Sequence, residues 1–214
     1  MNLLDLFSGT GSVKRNAINM NFNVVSLDKY IDTENVSKLS CHIKCDILEW
    51  DYKIYPKGYF DIITASPVCL YWSNLRKCWI GRKIKSHGGA ICTQELLDKD
   101  IEEKGKPMVD KIFEIIDYFE PKYWWIENPQ TGRMKEYIVD KPFYDVDYCK
   151  YGFCYRKKTR IWTNILNFKP KICKYDCDYY LNNKSHKCVA RDYSKLERYR
   201  IPNDLIIDLL QKCI

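Results

Sequence analysis

The feature that most restricts the fold of this 214-residue chain is its alternation of short apolar segments with segments of helical periodicity. That alternation predicts an α/β protein with a mainly parallel central sheet flanked by helices. Several predicted strands end in residues that could carry chemistry, at positions 5–11, 28, 46, 66–69 and 127–128. Because the carboxyl ends of parallel strands meet at one edge of a sheet, where ligands bind, we expect a functional site at that edge.

Predicted strands and helices occupy most of the chain. Strands are expected at 3–7, at 23–28, in the residues approaching position 45, at 59–65, at 123–126, near 146–151 and at 160–163. Helices are expected from the glycine-containing loop through position 20, at 109–119 and at 205–210. Residues 70–106 differ, because basic side chains surround Trp72 and Trp79 there. The length of that segment predicts a mobile functional loop that carries some helix.

Composition excludes several classes of protein. With 46% hydrophobic residues the chain can bury a core, and its length suits one domain plus a short additional segment. No apolar stretch reaches the roughly 18 residues of a membrane span, and the N-terminus lacks a signal peptide, so we expect a soluble, intracellular protein without a membrane partner. Eleven cysteines, an odd number, favour a reducing compartment over a disulfide scaffold. The net charge of +7 suits a polyanionic partner.

The loop after the first predicted strand has the features of a nucleotide site. Gly9 and Gly11 allow a tight turn and close approach of a ligand to the start of a helix. Asp28, at the end of the second strand, could accept hydrogen bonds from both hydroxyls of a ribose. A dinucleotide site would need a small residue where Lys14 stands, so the pattern favours an adenosine ligand without a pyrophosphate, such as S-adenosylmethionine. The alternative is a tight turn that binds nothing.

Two further strand ends carry a candidate nucleophile and a candidate acid. Cys69 follows Ser66–Val68 just after a buried strand, and Glu127 follows an aromatic strand that contains Trp124 and Trp125. A carboxyl group in such surroundings suits a general acid. The alternatives are a buried structural cysteine and a glutamate that caps a loop.

Five motifs in this order resemble those of the DNA cytosine-5 methyltransferases, in the compact form found in phages and large viruses. They are Asp5–Gly11 (DLFSGTG), Ser66–Cys69 (SPVC) with Ser73 four residues on, Glu127–Pro129 (ENP), Tyr151–Phe153 leading into Arg156–Arg160 (RKKTR), and Arg198–Pro202 (RYRIP). The resemblance extends from Asp5 to about Leu210. It implies a Rossmann-like, S-adenosylmethionine-dependent methyltransferase fold, acting in the cytoplasm or nucleoid of a bacterial cell or in a virus-infected host.

The resemblance also implies roles for individual residues. The thiol of Cys69 would add to carbon 6 of a cytosine flipped out of the helix, and Glu127 would act at ring nitrogen 3, with Asn128 and Arg160 as further catalytic residues. The cofactor would contact Asp5, Phe7, Ser8, Gly9, Thr10, Gly11, Asp28, Asp46 and Pro67. The DNA would contact Ser73, Arg76, Lys77, Arg82, Lys83, Arg156 and Lys157. The basic segment after Cys69 would close over the DNA.

The sequence departs from the family pattern in three motifs. Val68 replaces the second proline before the nucleophile, which loosens that turn. Glu127–Pro129 stands where the family commonly has Glu-Asn-Val. The register of the arginine motif around Arg160 is uncertain, because Tyr155–Arg160 carries lysines where Gln-x-Arg-x-Arg is usual.

A short segment replaces the sizeable target-recognition domain of bacterial relatives. We expect a catalytic and cofactor-binding domain over 1–168, a minimal target-recognition segment over 169–197, and a C-terminal segment over 198–214 that packs back on the catalytic domain. The middle segment contains Cys173, Cys177, His186 and Cys188, three thiols and an imidazole suited to a tetrahedral structural zinc ion. The alternative is that these cysteines bind no metal.

Three other functions remain open from the sequence. The same chemistry could act on RNA, since the motifs describe the base and not the sugar. A non-catalytic DNA-binding or regulatory subunit could keep the fold, as Val68 and the altered arginine motif would allow. A Rossmann oxidoreductase is disfavoured by Lys14. We expect a monomer.

Overall fold

The architecture is that of a computed structural model, which describes residues 1–31, 37–181 and 185–214. The strands are, in chain order, β1 (Asn2–Leu6), β2 (Asn23–Asp28), β3 (Ser40–Lys44), β4 (Ile62–Ala65), β5 (Lys83–Ile84), β6 (Ala90–Ile91), β7 (Tyr123–Pro129), β8 (Phe143–Asp147), β9 (Lys158–Thr163), β10 (Tyr180–Leu181) and β11 (Ser185–His186). The α-helices are α1 (Ser12–Asn19), α2 (Gln94–Asp100), α3 (Lys106–Phe119), α4 (Met134–Tyr137), α5 (Lys195–Arg198) and α6 (Asn203–Leu210). Among the described residues, none of these helices combines the length and the apolar character that crossing a membrane requires.

The central sheet has the strand order β3-β2-β1-β4-β7-β9-β8. The five strands from β3 to β7 run parallel, and β9 is antiparallel to both of its neighbours. Leu6 is level with Leu27 on one side and with Ala65 on the other, so the ends of β1, β2 and β4 coincide. The predicted α/β fold is therefore confirmed, and the loops that carry the candidate residues leave from one edge of the sheet.

Alternate residues of the inner strands fill two apolar layers, because successive side chains of a strand point to opposite faces. Leu4 and Leu6 belong to the layer covered by α3, whose buried face includes Val109, Ile112 and Phe119. The other layer lies under α1 and α6. The amphipathic periodicity thus predicted α3 correctly, and the helix ends one residue before Glu120, which adopts a left-handed conformation (φ 48°).

Residues 70–106 are more regular than predicted. They contain a 3-10 helix (Asn74–Trp79), the β5–β6 hairpin and α2, around a small apolar cluster of Ile84, Cys92 and Leu97. The buried carboxylate of Asp100 holds these pieces together through ion pairs with Arg76 and Lys104 and a hydrogen bond with the imidazole of His87. The prediction of a loop with some helix missed this arrangement because its contacts join residues far apart in the sequence.

The last part of the chain returns to the sheet. Leu205, Ile206 and Leu209 of α6 are buried, and the side chain of Asn203 accepts a hydrogen bond from that of Asn16 in α1 at 3.0 Å. By contrast, Cys173 is the only buried residue among the described residues of 169–181 and 185–197. The domain boundaries drawn from the sequence stay predictions.

Candidate active site

The glycine loop between β1 and α1 is shaped by left-handed backbone conformations. Gly9 has φ 50° and Gly11 has φ 73°, values that favour glycine, and Phe7 also lies in this region with φ 57°. The backbone N–H of Gly9 donates to Oδ2 of Asp28 at 2.9 Å. A Cβ atom built on Gly9 would meet only the carbonyl oxygen of Phe7, at 3.9 Å. The space beside this loop is therefore open to a ligand.

Two acids predicted to contact the cofactor flank the loop. Oδ1 of Asp28 accepts hydrogen bonds from the backbone N–H groups of Tyr30 and Ile31, both at 2.9 Å, which fixes the carboxylate at the end of β2. Asp46 forms an ion pair with Lys29 at 2.6 Å. Burial favours the neutral form of Asp46, but hydrogen bonds from Lys29 and from the backbone of Leu48 outweigh it and lower the pKa. Both acids thus lie at the edge of the sheet where the site was predicted.

Two buried polar atoms beneath the loop lack a hydrogen-bond partner among the described residues. They are Oδ2 of Asp5 and the hydroxyl of Ser8. The other oxygen of Asp5 accepts from the hydroxyl of Thr64 at 2.8 Å. Buried polar groups are costly when unpaired, so these two atoms fit a site that is completed by a polar ligand. Thr10, also predicted here, contributes its carbonyl oxygen to Arg15.

Asp5 has an unusual pKa. Burial raises it to about 7, and the charge of Asp28 adds to this effect, while the hydrogen bond from Thr64 opposes it. The carboxyl group is therefore partly protonated near neutral pH in the folded protein.

We expect Asp5→Asn to raise the free energy of unfolding at pH 8. Folding raises the pKa of Asp5 from 3.8 to about 7. The neutral carboxyl group therefore contributes stability that is complete at low pH and is lost as the pH rises through 7. At about 1.4 kcal/mol per pKa unit, the gain at pH 8 is at most about 4 kcal/mol. Urea denaturation of both proteins without cofactor measures it. A gain of equal size at pH 4 would contradict this explanation.

Cys69 lies in the turn after β4. The side-chain amide of Asn128 donates to the carbonyl oxygen of Pro67 at 2.9 Å, which links this turn to β7. Burial raises the pKa of the Cys69 thiol, and the charge of Glu127 raises it further, whereas Lys157 and Arg198 lower it. The reactivity of this thiol therefore depends on the two cations that face it.

Glu127 has two partners at one carboxylate oxygen. The buried hydroxyl of Tyr148 donates to Oε1 at 2.7 Å, and Nζ of Lys157 lies 3.5 Å from the same atom. The ammonium group also lies over the ring of Tyr148, 4.7 Å from its centre. Burial and the charge of Glu127 raise the pKa of Tyr148 well above its ordinary value, so the hydroxyl stays a donor. Sequence analysis missed Tyr148, which looked like part of a strand.

Arg160 lies on the other face of the sheet from Glu127. Glu127 is opposite Ile161 in the β7–β9 pair, while Asn128 is opposite Arg160. The guanidinium group of Arg160 makes two hydrogen bonds with the carboxylate of Asp145, at 2.8 and 2.9 Å. The structure therefore brings Lys157, and not Arg160, to the carboxylate of Glu127, and a catalytic role for Arg160 stays a prediction.

Two of the basic residues predicted to bind DNA are bound within the protein. Arg76 is only 4% exposed and pairs with Asp100 at 2.5 Å. Arg156 makes two hydrogen bonds with Asp147, at 3.1 and 2.9 Å, and a third with the carbonyl oxygen of Cys173. The sequence alone could not separate solvated from paired cations, and DNA contacts by these two residues stay predictions. Exposed members of the predicted set are Lys77, Arg82 and Lys83, while Ser73 caps the 3-10 helix by accepting from the N–H of Leu75.

The predicted metal ligands need one correction. The thiols of Cys149, Cys173 and Cys177 and the imidazole of His186 offer ligand atoms within 4.8 Å of one another. Cys188 belongs elsewhere: its backbone N–H donates to the carbonyl oxygen of Cys154 at 3.2 Å. Cys149 takes its place because the turn after β8 carries this side chain toward the segment.

Comparisons with known proteins agree with the family resemblance. A probable DNA (cytosine-5)-methyltransferase of frog virus 3 (isolate Goorha) is 41% identical over an alignment of 230 positions, which covers all of both chains. The methyltransferase EhMeth of Entamoeba histolytica superposes with a TM-score of 0.50 at 16% identity, over 80% of this chain, and shows the fold alone. The chain spans 55% of that structure.

No protein-family model matches the chain. The full-length identity to the viral protein nevertheless confirms the resemblance that the five motifs predicted, and the superposition confirms the methyltransferase fold. This protein belongs to the DNA (cytosine-5)-methyltransferase family.

Proposed function

We propose that this protein transfers a methyl group from S-adenosylmethionine to carbon 5 of a cytosine in DNA, through a covalent adduct at Cys69. The observation that carries the proposal is the convergence of Cys69 and Glu127 at the ends of the adjacent parallel strands β4 and β7, with Lys157 acting on both. The glycine loop leaves the same edge of the sheet two strands away from Glu127.

The cofactor supplies an electrophilic methyl group when it is bound. Asp28 would hold its ribose, Gly9 and Gly11 would let it approach the backbone, and Asp46 would lie near the adenine. The unpaired atoms of Asp5 and Ser8 support a polar ligand at this place. All of these residues lie around the ends of β1, β2 and β3.

Cys69 begins the reaction by nucleophilic addition. Carbon 5 of cytosine is too weak a nucleophile to react directly, so the thiolate form of Cys69 forms a bond to carbon 6 and the ring electron pair moves to carbon 5. The protonated form of Glu127 gives its proton to ring nitrogen 3 and neutralises the charge that develops there. Tyr148 holds the Glu127 carboxyl in place.

S-adenosylmethionine, when bound, would supply its methyl group to the activated carbon 5. A base removes the proton from carbon 5, the electron pair re-forms the ring double bond, and the sulfur of Cys69 leaves as a thiolate. Glu127 recovers its proton from ring nitrogen 3. The enzyme therefore returns to its starting state.

The substrate must present its base outside the helix stack. Enzymes that act on a DNA base extrude it into a pocket, at the cost of stacking energy. Lys77, Arg82 and Lys83 are exposed on the segment that follows Cys69, as are the apolar side chains of Leu75 and Trp79. Such a surface can contact both phosphates and unstacked bases.

The eleven cysteines, all free thiols, favour a reducing compartment, so we place the reaction inside the cell.

Trapping with 5-fluorocytosine oligonucleotides tests the proposal. Fluorine replaces the proton that must leave carbon 5, so an active enzyme stays attached to the DNA when S-adenosylmethionine is present. Peptide mapping of the adduct should identify Cys69 among the eleven cysteines. An adduct with the RNA oligonucleotide alone would make RNA the substrate. If cofactor binds and neither adduct forms, the protein is a non-catalytic member of the family.

We expect Lys157→Met to shift the pH dependence of methyl transfer upward. Burial and Glu127 raise the pKa of Cys69, and Lys157 and Arg198 oppose them, so removing one ammonium group raises that pKa further and leaves less thiolate at neutral pH. The rate at pH 7 should fall by about 3- to 10-fold and recover toward the wild-type value in alkaline solution. Lys158→Met, at the exposed neighbouring position, is the control. A uniform loss at all pH values would contradict this role.

A further inference from the structure

We propose that Cys149, Cys173, Cys177 and His186 bind a structural zinc ion that fastens residues 169–197 to the catalytic domain. Three of these ligands come from the segment itself. Cys149 comes from the turn that follows β8 in the catalytic domain. The ion would therefore cross-link the two parts of the chain.

The distances suit tetrahedral zinc. With zinc–sulfur bonds of about 2.3 Å, tetrahedral ligands lie ~3.8 Å apart. The four ligand atoms all lie within 4.8 Å of one another, and the Cys173 sulfur is 3.5 Å from Nε2 of His186. Only a small contraction is needed for them to enclose one ion.

The chemistry of these four ligands selects the metal. Three thiolates and an imidazole are soft or borderline ligands that suit zinc and not magnesium or calcium, which take oxygen. Four protein ligands complete the tetrahedron, so no position is open for a substrate. The ion would therefore be structural.

The segment needs such a constraint because its described residues form no apolar core. Cys173 is the only buried residue described between positions 169 and 181 and between 185 and 197, and it is one of the ligands. The loop from Cys173 to Cys177 also holds Tyr175 in a left-handed conformation, with φ 65°. A conformation of this kind costs free energy and persists only where its surroundings enforce it. Metal coordination supplies that enforcement in segments too small to fold alone.

The cluster is joined to the catalytic residues through the consecutive residues Asp147, Tyr148 and Cys149. Asp147 accepts from the backbone N–H of Cys173 at 2.9 Å and from Arg156, which also contacts the Cys173 carbonyl. Tyr148 donates to Glu127, and Cys149 is the metal ligand. Losing the ion would therefore disturb the turn that positions Glu127.

Metal analysis of the purified protein tests the site without an activity assay. We expect about one zinc per chain in the wild type, and less than about a tenth of that in Cys149→Ser. Cys188→Ser is the matched control, since Cys188 lies in the same segment but outside the cluster, and it should keep the full zinc content. His186→Cys should also keep zinc, because a Cys₄ site is equally suitable.

Cobalt substitution gives a second test on the wild-type protein. Cobalt(II) should produce the intense visible absorption of a tetrahedral site with thiolate-to-metal charge transfer. His186→Cys should change that spectrum and Cys188→Ser should not. A wild-type protein that binds neither zinc nor cobalt under reducing conditions would overturn the proposal. So would a zinc content that depends on Cys188 and not on Cys149.

Discussion

Cys69→Ala should reduce the rate of methyl transfer by about 10⁴-fold or more, without weakening the binding of cofactor or DNA. Removing a nucleophile abolishes the covalent route altogether, and losses of this order follow in other enzymes that use one. The substitution deletes one sulfur atom from a half-buried position in a turn, so the fold should survive it. The loss should lie in kcat and not in KM.

Single-turnover transfer of a radiolabelled methyl group measures this loss, and DNA affinity is measured separately by fluorescence anisotropy. Cys78→Ala is the matched control, because Cys78 is an exposed cysteine in the 3-10 helix that follows the same turn. It should retain wild-type rates. Turnover by Cys69→Ala within tenfold of the wild type would exclude a covalent mechanism at this residue.

Glu127→Gln should lower kcat by about 10²- to 10⁴-fold, the range over which general acids contribute. The amide keeps the volume of the side chain and an oxygen that can accept from Tyr148, but it has no proton to give to ring nitrogen 3. Tyr148→Phe removes only the hydrogen bond that positions Glu127. We therefore expect it to cost about tenfold.

Comparing the two variants across pH separates the roles. Glu127→Gln should keep its low rate at every pH, because the proton donor is gone. Tyr148→Phe should keep a pH profile of ordinary shape at a lower rate. Equal and small losses in both variants would mean that Glu127 only caps the turn, and equal and large losses would make Tyr148 part of the chemistry.

The sequence was informative where the chemistry is local. The glycine loop, Asp28, Cys69 and Glu127 each follow an apolar run directly, and a parallel sheet brings the ends of its strands together. Five motifs in order along the chain, the glycine loop, Cys69 and Glu127 among them, were enough to identify the family. Amphipathic spacing likewise placed α3 within three residues of its first residue.

The sequence was misleading where a residue acts through a distant partner. Arg76 stands in a basic run that reads as a DNA contact, and its partner Asp100 is 24 residues away. Tyr148 and Cys149 read as the continuation of a strand, but β8 ends at Asp147 and a 3-10 turn sends these two side chains in different directions. Local patterns do not reveal where a strand ends in a turn. The turn after β8 places Tyr148 beside Glu127 and Cys149 beside the other thiols and the imidazole of the proposed metal site.

The scarcity of buried apolar side chains among the described residues of 169–181 and 185–197 has a thermodynamic consequence. The heat-capacity change of unfolding and the sensitivity to urea both scale with the apolar surface that is exposed, and this segment hides very little. Calorimetry and urea titration therefore measure the unfolding of the sheet and its helices, and unfolding of the segment changes their results very little. A variant can therefore have the wild-type melting temperature and still have lost the ordered structure around Cys173.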